Sequence, residues 1–205
     1  MNLLPAVTNS GSLIGLGDTR SQQPLDNGCM QRIQEIDGEL TKLFRGFEQT
    51  AQRLEFQPLG DLLQVNLDSI QFSGLYFLEV WSSPYGAAML DDWLSCFTAT
   101  WNQEEFKKSF VPSCQKARMA KHTAVHEWMP LYLGKSEKVG KRVGEHLYLA
   151  ANTRTFALKL KARNLLEGNR YRLSVLRLDV ANYPVLAPKI ESALRRKHLP
   201  LVGRQ

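Results

Sequence analysis

A strand-like run followed at once by a helix-like run places the strongest constraint on the fold. "MPLYLGK", residues 129–135, is mostly apolar, whereas "SEKVGKRVGEHLYLA", residues 136–150, repeats apolar residues at helical spacing. Val139, Val143 and Leu147 define the inner face of this predicted helix. Arg142 and His146 are four positions apart, so their side chains lie close together. The stretch therefore predicts a strand, a turn and a helix that presents a guanidinium beside an imidazole.

Further patterns predict two more strands and two more helices. "SGLYFLEVW", residues 73–81, and "RYRLSVLRLDV", residues 170–180, are typical of strands. Residues 153–166 and 187–199 have the spacing of helices. The first two strands are separated by an insertion at about residues 82–128, for which we predict a helix that continues through its basic stretch. From residue 70 onward, the order of elements predicts an α+β domain.

The N-terminal third divides into two segments of different composition. Residues 1–28 are poor in charge and rich in Gly, Ser, Asn, Gln and Pro, which predicts a flexible arm. Residues 29–69 form an N-terminal helical segment, and residues 70–205 form the main domain. An apolar stripe predicts that the helix packs on the core or on a second subunit; its members are Met30, Ile33, Ile36, Leu40, Leu43, Phe44, Phe47, Ala51 and Leu54.

The charge distribution favours a polyanionic partner. The chain carries a formal net charge of +6, and residues 106–163 contain thirteen Lys and Arg against three acidic residues. Such a one-sided excess favours nucleic-acid binding over a merely solvated face. The predicted DNA-binding residues are Lys107, Lys108, Lys116, Arg118, Lys121, Lys138 and Lys141.

The sequence lacks the signals of a membrane or secreted protein. No apolar run reaches the roughly 18 residues needed to span a bilayer, and the first residues do not resemble a signal peptide. We therefore expect a cytoplasmic protein without a membrane partner. Cys29, Cys96 and Cys114 are odd in number and widely spaced, which predicts reduced thiols rather than a disulfide framework or a structural zinc site.

Two short motifs in the predicted strands resemble those of a known nuclease superfamily. "GLY", residues 74–76, and "YLG", residues 132–134, resemble the two tyrosine motifs of the GIY-YIG nucleases. Arg142 lies ten residues after the second tyrosine, as in that family, and His146 follows one helical turn later. Glu191, in the last predicted helix, corresponds to the family's glutamate. The resemblance covers residues 70–205 and implies a small three-stranded antiparallel sheet flanked by helices.

The resemblance implies a divalent-metal-dependent DNA endonuclease. The 56 positions between Tyr76 and Tyr132 resemble the restriction-endonuclease-like branch, which carries insertions there, so the implied role is restriction or mobile-element defence. Glu191 would bind Mg²⁺ or Mn²⁺. The implied partners are DNA, a second copy of the chain in a homodimer, and a cognate DNA methyltransferase that acts separately. The implied catalytic residues are Tyr76, Tyr132, Lys135, Arg142, His146 and Glu191.

The resemblance implies one of the two tyrosines as general base. A phenol with its ordinary pKa of about 10 is a poor base at neutral pH, so it must lie beside cations. Arg142 and Lys135 could supply that field. Arg142 could also hold a phosphate through its planar fork, while His146 could relay a proton or orient the base.

One position departs from the family pattern, and two other functions remain alternatives to the endonuclease. Gly203 stands where the family often has an asparagine, so either Arg204 or Gln205 replaces it or the site lacks one support. The alternative is a nucleic-acid-binding protein of the same fold without catalysis. A third interpretation is a helical interaction protein that dimerises through the stripe of residues 30–54.

Overall fold

A computed structural model describes residues 27–83, 89–106 and 110–203. The chain divides into two compact units, residues 1–42 and 43–205. Helix α1 (Asn27–Gln52) supplies the described part of the first unit, and residues 1–26 of the predicted arm lie outside the described residues. Among the described residues, no helix combines the length and apolar character that crossing a membrane requires.

Four antiparallel strands form the central sheet, in the order β1-β5-β2-β4. The α+β class with an antiparallel sheet is confirmed, but the sheet has four strands where three were predicted. The additional strand, β1, was missed because Pro58 and Gly60 interrupt its sequence, and its register shifts between these two residues. The strands are β1 (Gln57–Asp61), β2 (Gly74–Trp81), β3 (Ser113–Cys114), β4 (Trp128–Ser136), β5 (Tyr171–Arg177) and β6 (Val202–Gly203), of which β3 and β6 form a second sheet.

Two helices pack on opposite faces of the central sheet. Successive side chains of a strand alternate between the faces, so β2 contributes to both cores. Tyr76 and Leu78 belong to the core that contains Val143 of α4 (Val139–Tyr148). Leu75 and Phe77 belong to the core that contains Ile190 and Leu194 of α5 (Tyr183–His198). The predicted strand-turn-helix unit, β4 followed by α4, is confirmed.

The apolar stripe of α1 is buried only near its C-terminal end. Ala51 is buried, and Phe47 and Leu54 pack against the same core as α5. The prediction of core packing is therefore confirmed for this part of the stripe. Its N-terminal members are exposed, and a homodimer through them stays a prediction; they are Met30, Ile33, Ile36, Leu40 and Leu43.

The insertion is not the single long helix that the sequence predicts. It begins with α2 (Leu90–Trp101) and later forms β3 and the short α3 (Lys116–Met119). Pro112 cannot continue a helix, and its carbonyl accepts a hydrogen bond of 2.8 Å from Trp101 Nε1. Ser113 and Cys114 then pair with β6, so the insertion is anchored to the C-terminal strand.

The predicted helix at residues 153–166 is also wrong, because this segment is irregular and made of turns. Backbone amides of this segment donate hydrogen bonds to α4 rather than within a helix of the segment itself. Leu160 N–H, for example, donates to the His146 carbonyl at 2.9 Å. Lys159 and Asn164 adopt left-handed backbone angles, with φ of 54° and 53°, which end any helical run.

Candidate active site

The two predicted tyrosines lie side by side on one face of the sheet. In the pairing of β2 with β4, Tyr76 is opposite Gly134 and Tyr132 is opposite Leu78. The ring centroids of Tyr76 and Tyr132 are 6.1 Å apart. A Cβ atom on Gly134 would lie 2.6 Å from Cζ of Tyr76 and 2.8 Å from Cε1 of Tyr132. Position 134 must therefore be glycine, because the two rings occupy the space of any side chain there.

His146 is fully buried, and its two hydrogen bonds define which nitrogen carries the proton. The Leu158 backbone N–H donates to Nδ1 at 2.9 Å, and Nε2 lies 2.8 Å from the Tyr76 hydroxyl oxygen. Burial, followed by the charge of Arg142, lowers the pKa of His146 well below its ordinary value. The ring is thus neutral at pH 7, and because Nδ1 accepts, Nε2–H donates to Tyr76.

Tyr132 lies beside the Tyr76 end of this hydrogen-bonded path, with the two ring centroids 6.1 Å apart. Because Tyr76 accepts from His146, its own proton is free to point towards another acceptor. Burial raises the pKa of both phenols, and the charge of Tyr132 raises that of Tyr76 further. Leu158, His146 and Tyr76 form a donor series, in which the Leu158 N–H donates to His146 and His146 donates to Tyr76, and Tyr132 lies beside its end.

Arg142 supplies a fixed positive charge beside the donor series. Its guanidinium donates to the Glu145 carboxylate and to the Phe156 carbonyl, which together hold the side chain in place. The charge of Arg142 and its hydrogen bond lower the pKa of Tyr76, against the larger effect of burial. Arg142 therefore lies where it can stabilise a phenolate or a phosphate oxygen.

Glu191 approaches the same tyrosines from α5. Its charge raises the pKa of Tyr132 and, to a smaller extent, that of Tyr76, so the carboxylate lies within electrostatic range of both phenols. Arg195 Nη2 donates to Oε1 of Glu191 at 2.6 Å and to the Leu133 carbonyl at 3.3 Å. β4 is an edge strand of the central sheet.

The donor set suits one particular mode of divalent-ion binding. Within residues 27–83, 89–106 and 110–203, no three or more His, Cys, Asp or Glu side chains are grouped so that they could hold a metal. Mg²⁺ often binds through one or two carboxylates and the substrate phosphates while it keeps several waters. Glu191, a hard oxygen ligand beside the phenols, fits this mode as the single protein ligand.

Lys135 lies on the opposite face of β4 from the two tyrosines. It pairs with Leu75, whose side chain lies on the face covered by α5, whereas Tyr76 and Tyr132 lie on the face covered by α4. The alternation of side chains along β4 accounts for this placement, because Lys135 follows Gly134 by one residue. The cations whose charges lower the pKa of the tyrosines are Arg142, for both, and Arg195, for Tyr132.

The predicted DNA-binding residues are distributed over several surfaces. Lys138 and Lys141 are exposed at the start of α4 and line, with Arg142, an open pocket of about 350 Å³. Lys116 and Lys121 are exposed in the insertion, whereas Arg118 is half-buried. Lys107 and Lys108 lie outside the described residues.

Two basic residues counted in the charged stretch are structural. Lys159 is buried and donates to the carbonyls of Ala151 and Thr153, at 3.0 and 2.6 Å. Arg163 is buried with its guanidinium carbon 4.3 Å from the ring centroid of Trp101. The basic surface is therefore smaller than the sequence count indicates.

Sequence reasoning missed the groups that orient the site. The Leu158 amide and the Phe156 carbonyl are backbone groups from a segment that was predicted to be helical, and no side-chain pattern identifies them. Arg195 was recognisable from its i, i+4 spacing to Glu191, which favours an ion pair.

Compared with protein-family models, curated proteins and solved structures, the chain matches none of them.

The buried His146 predicts a pH-dependent stability. Its pKa is lowered in the folded state, so the unfolded chain binds the proton more readily and stability falls as the pH drops below about 6.5, the unfolded value. The loss approaches about 1.4 kcal/mol per pH unit until the folded pKa is reached. Urea unfolding at pH 5 to 8 measures it. His198, whose pKa burial and Lys197 also lower, adds to the slope.

The control for this prediction separates His146 from the exposed histidines. In His146→Gln, we expect a smaller slope of unfolding free energy with pH, and His126→Gln, at an exposed position, controls for the loss of a histidine as such. An unchanged slope in His146→Gln would contradict a neutral, buried imidazole.

Proposed function

We propose that the protein is a divalent-metal-dependent endonuclease that hydrolyses phosphodiester bonds of DNA. The observation that carries this proposal is the donor series that ends at Tyr76 beside Tyr132, with Arg142 and Glu191 in electrostatic range of the Tyr132 phenol. Phosphodiester hydrolysis needs a base for the attacking water, a cation on the non-bridging oxygens and neutralisation of the leaving oxygen. The proposal assigns the first two roles to Tyr132 and Arg142.

The donor series supports Tyr132 as the base in its phenolate form. The attacking water forms a bond to phosphorus and gives its proton to the Tyr132 oxygen, while the bond from phosphorus to the leaving sugar oxygen breaks and that oxygen takes up a proton from solvent water. Tyr76 donates to the phenolate, and His146 in turn holds the Tyr76 oxygen, so neither group needs to move during the step. His146 acts as a positioning residue because its Nε2 already carries a proton.

Arg142 and Glu191 would act on the phosphate. Arg142 offers a guanidinium whose orientation is held by Glu145 and Phe156, which suits the binding of a non-bridging oxygen. A divalent ion held by Glu191 and the substrate would supply charge neutralisation when bound. Arg195 keeps the Glu191 carboxylate in place.

Cleavage of supercoiled plasmid DNA by the purified protein tests the proposal. We expect nicked or linear product with Mg²⁺ and none with EDTA. Glu191→Ala removes the proposed metal ligand, and Tyr76→Phe interrupts the donor series. Each is expected to lower the cleavage rate by about a hundredfold, the lower end of the effect of a lost acid-base or positioning group.

A surface tyrosine provides the matched control. Tyr148 lies on α4 like His146 but its side chain is exposed, so Tyr148→Phe should cleave at the wild-type rate. Cleavage that persists unchanged in both Glu191→Ala and Tyr76→Phe would show that another site, or a contaminant, is responsible.

A second candidate is a nucleic-acid-binding protein that uses the same cluster without catalysis. The observations that favour it are the ion pair of Arg195 with Glu191 and the raised pKa values of both phenols. It predicts DNA binding that weakens steeply with salt. It also predicts no cleavage with Mg²⁺, Mn²⁺ or other divalent ions, which is the result that separates it from the endonuclease.

A further inference from the structure

Arg118 is a half-buried cation whose hydrogen-bonding capacity is not used. Its Nε and Nη2 atoms are shielded from solvent, and neither has a hydrogen-bond partner among the described residues. These two atoms form one edge of the guanidinium, the edge that binds two oxygens of a phosphate or carboxylate in parallel. Buried donors without partners are uncommon and destabilising, so this edge calls for an explanation.

The two-stranded sheet places Arg118 at the C-terminal strand. Ser113 of β3 pairs with Gly203 of β6, and Gln115 Nε2 donates to the Gly203 carbonyl at 3.1 Å. α3 follows directly, and a Cβ atom on Gly203 would lie only 2.8 Å from Nη2 of Arg118. The absence of a side chain at position 203 therefore gives the guanidinium its place.

The charges of two residues of the candidate active site, Arg195 and Tyr132, act on Arg118. Burial, followed by the charge of Arg195, lowers the pKa of Arg118 to about 10, and Tyr132 acts in the opposite direction. Arg118 and Arg195 are therefore close enough to repel each other. The Glu191 carboxylate pairs with Arg195 at 2.6 Å, and no ion pair of Arg118 is found among the described residues. Two neighbouring guanidiniums with one carboxylate leave a local excess of positive charge.

We propose that Arg118, together with Arg195, binds a phosphate group of the nucleic-acid backbone next to Tyr132. This inference rests on the proposed function, because it concerns the substrate of the same site. An oxyanion provides acceptors for the unused edge of Arg118 once the contacts that shield this edge open, and it offsets the repulsion between the two arginines. A phosphodiester fits better than a carboxylate ligand, since the surrounding exposed Lys116 and Lys121 suit an extended polyanion.

The proposal also explains why glycine is suitable at position 203. The expected asparagine is absent, and the insertion brings a guanidinium to this place instead. The φ angle of Gly203 is not in the left-handed region, so its backbone would accept alanine. Gly203→Ala would therefore act mainly through the nearby end of the Arg118 side chain, which has to move.

Inorganic phosphate and a short DNA duplex are the two probes of this site. Thermal unfolding with increasing phosphate, at constant ionic strength set with chloride, should stabilise the wild type. The same phosphate series should leave Arg118→Met and Gly203→Ala without a shift. For the duplex, measured with EDTA, Arg118→Met should weaken binding about tenfold at low salt and lower the salt slope by about 0.9.

The control variant changes the charge without touching the guanidinium pair. Lys42→Ala, in α1, should keep the phosphate-induced shift because Lys42 is exposed and lies outside the basic stretch of residues 106–163. Without ligand, Arg118→Met should be at least as stable as the wild type, since it removes an unpartnered buried cation. Gly203→Ala retains the Arg118 side chain and displaces only its end. If this variant also loses the phosphate response, misfolding of Arg118→Met alone does not explain the loss.

The outcomes distinguish this inference from the proposed endonuclease. A phosphate shift retained in Arg118→Met, or no shift in the wild type, overturns the anion site. A wild type that responds to phosphate through Arg118 and binds the duplex, but never cleaves it, overturns catalysis and supports the anion site. A wild type that cleaves DNA while Arg118→Met cleaves and binds equally well supports the endonuclease and overturns the role of Arg118.

Discussion

Replacing Tyr132 with phenylalanine is expected to lower the rate of DNA cleavage by about a thousandfold, more than Tyr76→Phe. Tyr132 lies at the end of the donor series, and the charges of Arg142 and Arg195 lower its pKa against the larger effect of burial. Removing its hydroxyl eliminates the proposed base, whereas removing that of Tyr76 only weakens the support of the base. Single-turnover cleavage of a labelled duplex with saturating Mg²⁺ measures both rates.

The pH dependence of cleavage provides a second measurement of the same assignment. Burial and the charge of Glu191 raise the pKa of Tyr132, so the fraction of phenolate increases tenfold per pH unit below that pKa. The wild-type rate should therefore rise with pH through the range 7 to 9. The residual activity of Tyr132→Phe should not show this rise. Equal losses of cleavage rate in Tyr76→Phe and Tyr132→Phe, with the same pH profile, would contradict the assignment of Tyr132 as the base.

The double variant completes this prediction. Because both tyrosines act in one series, the loss in Tyr76→Phe/Tyr132→Phe should be close to that of Tyr132→Phe alone. Additive losses would indicate that the phenols act in separate steps. Duplex binding with EDTA should be unchanged in all three variants, since phosphate contacts are assigned to arginines.

The elements that carry the site were predictable from the sequence because their patterns are local. β2, β4 and α4 each combine a clear periodicity with a short motif, and the four-residue spacing of Arg142 and His146 places them on the helix turn nearest the tyrosines. Glu191 was likewise placed on the final helix. These predictions depended on residues that are close in sequence or on motifs of fixed length.

The parts that failed depend on contacts between distant segments. β1 forms because β5 offers an edge to a segment that contains Pro58 and Gly60, and nothing in that segment's own pattern indicates a strand. The turns after α4 form because the Leu158 amide is needed by a buried imidazole. A helix would have used that amide internally, so the tertiary hydrogen bond prevails over local propensity.

The same distinction explains why the sequence identified Arg118 as a basic residue but did not predict its position in the structure. A basic residue in a charged stretch predicts a solvated DNA contact, and Lys116 and Lys121 are indeed exposed. Arg118 differs because β3 pairs with a strand 90 residues away, which brings its guanidinium against Gly203. Only the pairing of the insertion with the C-terminal strand reveals this proximity.

Replacing Gly134 with alanine is expected to destabilise the protein and to abolish cleavage at the same time. The new Cβ would overlap the hydroxyl end of the Tyr76 ring and lie 2.8 Å from Tyr132 Cε1. Both rings are buried and are fixed by neighbouring groups, so neither can move without breaking the donor series. Overpacking of this kind costs about 3 kcal/mol of unfolding free energy. Urea unfolding and plasmid cleavage measure the two effects.

Gly144 provides the matched control on α4. A Cβ there would meet only Leu67 Cδ1, at 3.5 Å, which is an ordinary contact. Because alanine is the better helix former, Gly144→Ala should raise the unfolding free energy by about 0.5 to 1 kcal/mol and keep full cleavage activity. If Gly134→Ala instead retained wild-type stability, the two tyrosines would not pack as described, and the donor series that supports Tyr132 as the base would lose its geometric foundation.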